Sequence, residues 1–149
     1  MRGNELTTLQ GAVVERLKGD PLLSRVEIIA EDEQDLSNRI EIAMAKLGAC
    51  MVVGVATAAV NNPNLPGPQF DGLTFVVSVA ENVMLNRTPG SSQLDALSLA
   101  MQAHRRLHHW RPVDTGFSNY TIYSARNAIE PGNSEDLLTF DANFKLGTT

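Results

Sequence analysis

The sequence predicts an α+β fold: a single antiparallel or mixed sheet of about five strands packed with about three helices. Three stretches carry this prediction. Leu138, Phe140, Ala142, Phe144 and Leu146 alternate with Thr139, Asp141, Asn143 and Lys145, the pattern of a strand with one buried and one wet face. Residues 50–60 (CMVVGVATAAV) are apolar at nearly every position, as in a strand covered on both sides. Residues 91–112 (SSQLDALSLAMQAHRRLHHWRP) carry helix signals at both ends. Ser92 and Asp95 form a capping box there, Pro112 stops the helix, and Arg105, Arg106 and the histidines sit near its negative end.

The remaining elements follow in order. Residues 5–18 predict a first helix with Leu6, Leu9, Val13 and Leu17 on one face, ended by Gly19 and Asp20-Pro21. Residues 26–30 (VEIIA) are β-branched and read as a short strand. An acidic segment, 31–35, leads into a second helix whose apolar face is Leu36, Ile40, Ala43, Met44 and Leu47, with Gly48 as its C′ residue. Residues 61–72, with three prolines and two glycines, form a loop, long enough to serve as a contact surface. A strand over 73–85 places Leu73, Phe75, Val77, Val79 and Val83 on one side, which Glu81 interrupts. In the long helix, Asp95, Ser98, Gln102, Arg105, Arg106 and His109 fall on one polar arc, leaving Leu97, Met101, His104 and His108 on the covered side. Residues 119–129 are a strand, and Pro131-Gly132-Asn133 turns the chain into the last one.

With 149 residues the chain predicts one domain that buries roughly 70% of its unfolded surface and folds without disulfides or metal. A formal charge of −5 argues against sequence-independent nucleic-acid binding. The single Cys50 lies in an apolar run, MRGNELTTLQ lacks the apolar core of a signal peptide, and no run is long enough to span a bilayer. Together these predict a protein of a reducing compartment with no membrane partner. Charge is unevenly spread. Glu27, Glu31, Asp32, Glu33, Asp35 and Glu41 oppose only Arg39, whereas Arg87, Arg105, Arg106, Arg111 and Arg126 oppose Asp95 and Asp114. Two solvated faces would account for this, and so would two complementary patches that meet between copies of the chain.

Reaction chemistry finds little support. His104 and His108 share a helix face, but the glutamate of H-E-x-x-H is missing, and packing with ring nitrogens bonded to backbone is the expected role. The carboxylates at 31–35 could hold Mg²⁺, yet a helix N-terminus rich in acids is ordinarily explained by capping. Burial should raise the Cys50 pKa. There is no G-x-S-x-G, P-loop or G-x-G-x-x-G, so neither catalysis nor a cofactor is expected.

The stretches 75–87 (FVVSVAENVMLNR), 91–112 and 137–146 (LLTFDANFKL), within an order of elements spanning about 20–146, resemble the small tail-terminator proteins of tailed bacteriophages, especially Mu-like contractile ones. The resemblance implies a structural virion protein of the tail, assembled in the bacterial cytoplasm. Such a protein forms a ring, commonly a homohexamer, that caps the tail tube and offers a joining surface to neck or head-completion proteins. On that reading Glu31, Asp32, Glu33 and Asp35 of one subunit meet Arg87, Arg105, Arg106 and Arg111 of the next. Another neck or minor tail ring subunit is the nearest alternative. A small metal-dependent hydrolase using the 31–35 carboxylates or His104 and His108 is the alternative from a different class.

Overall fold

The computed structural model describes residues 5–31, 34–60, 70–87, 89–112, 120–132, 134 and 137–148. The elements in order are α1 (Glu5–Lys18), β1 (Glu27–Ala30), α2 (Leu36–Leu47), β2 (Ala49–Val53), β3 (Thr57–Val60), β4 (Phe70–Glu81), α3 (Ala96–Leu107), β5 (Tyr120–Pro131) and β6 (Leu138–Thr148). They form one mixed sheet in the order β1-β2-β4-β6-β5, with β3 continuing the edge of β4 beyond β2. Only β1 and β2 are parallel, joined by the crossover helix α2; the other pairs are antiparallel.

The expected α+β architecture is therefore present, with three helices and a mixed sheet. The sixth strand arises because the apolar run at 50–60 is broken at residues 54–56 into β2 and β3. Gly54 donates to the Val76 carbonyl at 2.9 Å, and a Cβ there would stand 3.1 Å from that oxygen, so the chain passes β4 closely enough that a side chain would press on its backbone. The next strand begins at Phe70 and ends at Glu81, and Leu85 belongs to a 3₁₀ turn. Residues 61–69 of the expected loop, and Asn133 of the expected turn, lie outside the described residues.

Alternation along the strands sorts the helices onto two faces. Leu9, Val13 and Leu17 of α1 and Leu99, Ala103 and Leu107 of α3 share one core with Met51, Val77, Val79, Ala142 and Phe144. Ala43 and Met44 of α2 pack with Cys50 in a smaller cluster. Cys50 lies between Ala49 and Met51, both in the main core, so α2 covers the opposite side of the sheet.

Three boundary expectations are corrected. The cap of α3 is Asp95, whose carboxylate accepts from Ser98 N at 3.0 Å, while Ser92 is buried and its hydroxyl donates to Asn86 Oδ1 at 2.9 Å. Ser92 is thus engaged outside the helix and the expected box with Asp95 does not form. Nor does Pro112 stop α3. His109 adopts φ 70°, donating its N–H to the Ile122 carbonyl at 2.7 Å, so the chain has already turned along β5. Thirdly, Leu97 and Met101 are 42% and 40% exposed rather than covered. The polar edge of α3 is turned toward α1, because Gln102 donates to Asp20 Oδ2 at 2.8 Å and Arg106 Nε to the Arg16 carbonyl at 3.3 Å. That rotation brings Leu97 and Met101 out to solvent.

Gly48 does end α2 as expected, with φ 77° and its N–H bonded to the Met44 carbonyl. A Cβ there would lie 2.7 Å from Asn86 Cα. Gly48→Ala should therefore cost about 2 kcal/mol or more, combining left-handed strain with a clash against backbone. Urea unfolding measures it, and a change below about 0.5 kcal/mol would contradict the packing described.

Candidate functional site

Among the described residues of the acidic stretch, none caps α2. Asp35 occupies the N-cap position of α2, but at φ 58° its side chain makes no cap hydrogen bond. In this left-handed conformation the expected explanation for the carboxylates is not met at the residue best placed to provide it. Glu31 and Asp35 are exposed, and Asp32 and Glu33 lie outside the described residues. Glu27 is the carboxylate of this stretch with a recorded partner, Arg39 Nη2 at 2.6 Å.

The basic residues do not form one patch. Arg87 closes the 3₁₀ turn after β4, near the start of α3, whereas Arg105, Arg106 and Arg111 cluster around its end. Twelve helical residues separate the two groups by about 18 Å. Even adjacent residues diverge. Arg105 lies exposed along the groove between α3 and β5, and Arg106 is half-buried against α1. The structure thus brings Arg105, Arg106 and Arg111 to one end of a helix and leaves Arg87 at the other.

Two depressions flank that end. The first, of about 530 Å³, lies between α1 and α3 and is lined by Glu15, Arg16, Arg106, Trp110 and Pro112 among others. Arg16 Nε donates to the Arg106 carbonyl at 3.1 Å, reciprocating the bond from Arg106. Its guanidinium lies 5.3 Å from the centroid of the Trp110 ring, a cation–π contact. Burial and the like charge of Arg106 hold Arg16 below its ordinary pKa. Neither Arg16 nor Trp110 was singled out from the sequence as a site residue, since their meeting depends on α1 packing against α3, which no local pattern encodes.

The second depression, of about 500 Å³, is lined by Met101, His104 and Arg105 of α3 and by residues 126–129 of β5. Here the register of β5 against β6 shifts between Ser124 and Ile129. The intervening bulge is pinned by Asn143, whose Nδ2 donates to the Asn127 carbonyl at 2.8 Å.

His108 has the backbone-bonded role expected of both histidines, whereas His104 shows ring packing alone. His104 and His108 stack at 5.2 Å, and His108 Nδ1 accepts the Ser124 backbone N–H at 3.0 Å, serving an edge strand as a carbonyl would. Burial, then the charges of His109 and His104, lower the His108 pKa. Its folded-state value lies below the unfolded one, so its contribution is full above about pH 6.5 and is lost as pH falls through the folded value. Melting temperatures taken from pH 7.5 to 5 should decline, and His108→Gln should flatten that decline; an unchanged slope would exclude His108 as its origin. Among the described residues no group of three or more His, Cys, Asp or Glu side chains is placed to hold a metal. Cys50 is buried, and burial followed by the Glu27 charge pushes its thiol up to about 11, which suits a packing role rather than a nucleophile.

Comparison with known proteins extends to the whole arrangement. A chain of the solved structure described as "Virion of native gene transfer agent (GTA) particle" aligns over 95% of this chain and 95% of its own, at 16% identity and a TM-score of 0.53. A second solved chain aligns over 96% of this chain and 93% of its own, at 10% identity and a TM-score of 0.51. The likeness is one of fold. No protein-family model and no curated protein matches the chain.

Proposed function

We propose that this chain is a structural subunit of a phage-type virion, and more specifically a tail terminator. Copies would close into a ring, six in number by the resemblance, that caps the tail tube and presents its other face to neck or head-completion proteins. The observation that carries the proposal is the end-to-end fold likeness to a chain of a virion-like particle, spanning 95% of both partners. The surface adds physical support. Leu97 and Met101 form an exposed apolar pair on α3, and Glu31 and Asp35 precede α2 whereas Arg105 and Arg106 stand in the last turn of α3. Surfaces that differ in this way favour a heterologous contact, which closes when the rotation between neighbours allows it.

Negative-stain images of the purified protein, together with light scattering over a concentration series, test the reading. Annuli of uniform diameter are expected. A monomer at every concentration would count against a self-assembling ring. Co-purification with tube or neck proteins separates a terminator from another ring of the same particle.

A further inference from the structure

We propose that the recess between Arg16 and Arg106 is a carboxylate socket, and that its occupants are Glu31 and Asp35 of a second copy of this chain. The proposal rests on the self-assembly reading and names the contact that would produce it.

The socket is built before anything enters it. Each guanidinium spends its Nε on the other residue's carbonyl, at 3.1 and 3.3 Å, which fixes both side chains and leaves their terminal nitrogens for another acceptor. No ion pair joins either of them to a described carboxylate. Two like charges are thus held near each other, Arg16 lying against the Trp110 indole and Arg106 within the field of the Asp20 carboxylate. An anion between them would relieve that repulsion, and guanidinium forks match the two oxygens of a carboxylate. The Glu15 carboxylate in the lining, the apolar Trp110 and Pro112, and the chain's charge of −5 disfavour a phosphate polyanion relative to a singly charged side chain.

The occupant follows from asking which carboxylates are free. Asp20 is bonded to Leu22 N, Leu23 N and Gln102; Glu27 to Arg39; Glu81 to Ala96 N and Asn86; Asp95 to Ser98 N; Glu130 to Asn127 and Asn143. Glu15, Glu31, Asp35, Glu41 and Asp141 have no side-chain partner among the described residues; Glu15 already lines the recess, and Glu31 and Asp35 are exposed in the densest acidic stretch of the sequence. The socket adjoins the end of α1, which leads into the start of β1, whereas Glu31 and Asp35 follow the far end of β1, about 13 Å of strand further on. The proposed contact is between copies and head-to-tail.

Sedimentation velocity on the full chain tests this with Arg16→Gln, Arg106→Gln, the exposed pair Glu31→Gln/Asp35→Asn, and a charge exchange combining Arg106→Glu with Glu31→Arg and Asp35→Arg. Neutralising either side should weaken self-association by at least about tenfold, and the exchange should recover part of the loss. Thermal melts of the arginine variants identify any loss of fold, and the exposed acidic pair provides a reading free of that concern. If the wild type assembles and the acidic pair assembles equally well, the socket is overturned while the ring reading stands. A wild type that stays monomeric throughout overturns both. Saturable binding of a DNA duplex that Arg16→Gln abolishes would assign the recess to phosphate and overturn the proposal as well.

Discussion

Phe144→Ala is expected to destabilise the fold by about 3–5 kcal/mol, a large part of what a domain this size possesses. Phe144 is fully buried on β6, which is hydrogen-bonded on both sides, to β4 and to β5. Its ring stacks on Phe75 at 5.2 Å and faces His104 at 6.3 Å. With strands on either side and α3 above, the surroundings cannot collapse into the vacated space, so the cavity term adds to the lost transfer energy. Urea denaturation should show a lower midpoint with an unchanged slope. A loss under about 1 kcal/mol would mean that the packing around β6 is looser than described.

Asn86→Asp is expected to be nearly as damaging, at about 3 kcal/mol or more, although it replaces one atom. Asn86 is buried and its amide is used at both ends. Oδ1 accepts from the Ser92 hydroxyl and from Gln93 N, both at 2.9 Å; Nδ2 donates to Glu81 Oε2 at 3.0 Å and to the Leu94 carbonyl at 2.8 Å. These bonds fix which way the amide points. Aspartate would set a carboxylate oxygen against the Glu81 carboxylate and a carbonyl, losing two bonds and burying two like charges together. Glu81→Gln should cost less, about 1–3 kcal/mol. Its oxygen can still accept the Ala96 N–H, now 2.8 Å from Glu81 Oε1, but its amide then meets the Asn86 donor. Denaturation of both variants at pH 7 tests the ranking. Equal stability of Asn86→Asp and the parent would show that this network does not hold the start of α3.

These two sites mark how far the sequence could be read. Period-2 alternation placed Phe144 in the core, because a strand buried on one face writes that burial into consecutive residues. Glu81 was visible only as a charge interrupting an apolar side. Its purpose depends on Ala96 arriving above it from fifteen residues away, and nothing local signals such a meeting. The ends of α1 and α2 were legible for the same reason as the last strand, since Gly19 and Gly48 act on neighbouring backbone. The rotation of α3 was not. Its charged arc suggested a solvent side, yet Arg106 finds a partner on α1 and Gln102 one just beyond its end, a competition that helical periodicity does not contain. Among the candidate site residues, the charge asymmetry was legible as composition. The splitting of its basic half, with Arg87 at one end of α3 and Arg106 turned inward, required the fold.

The outer margin of β5 carries a consequence for any molecule that associates with itself. An open strand margin invites a neighbour to add its own strand, and repetition of that step yields fibrils of indefinite length. Here the Ile122 N–H is already taken by the Trp110 carbonyl at 2.9 Å and that of Ser124 by an imidazole, while the bulge beyond them is out of step with any straight template. Backbone-to-backbone polymerisation is thereby discouraged. At this margin, copies assembling as proposed would recognise one another through side chains, whose geometry can specify an assembly that terminates.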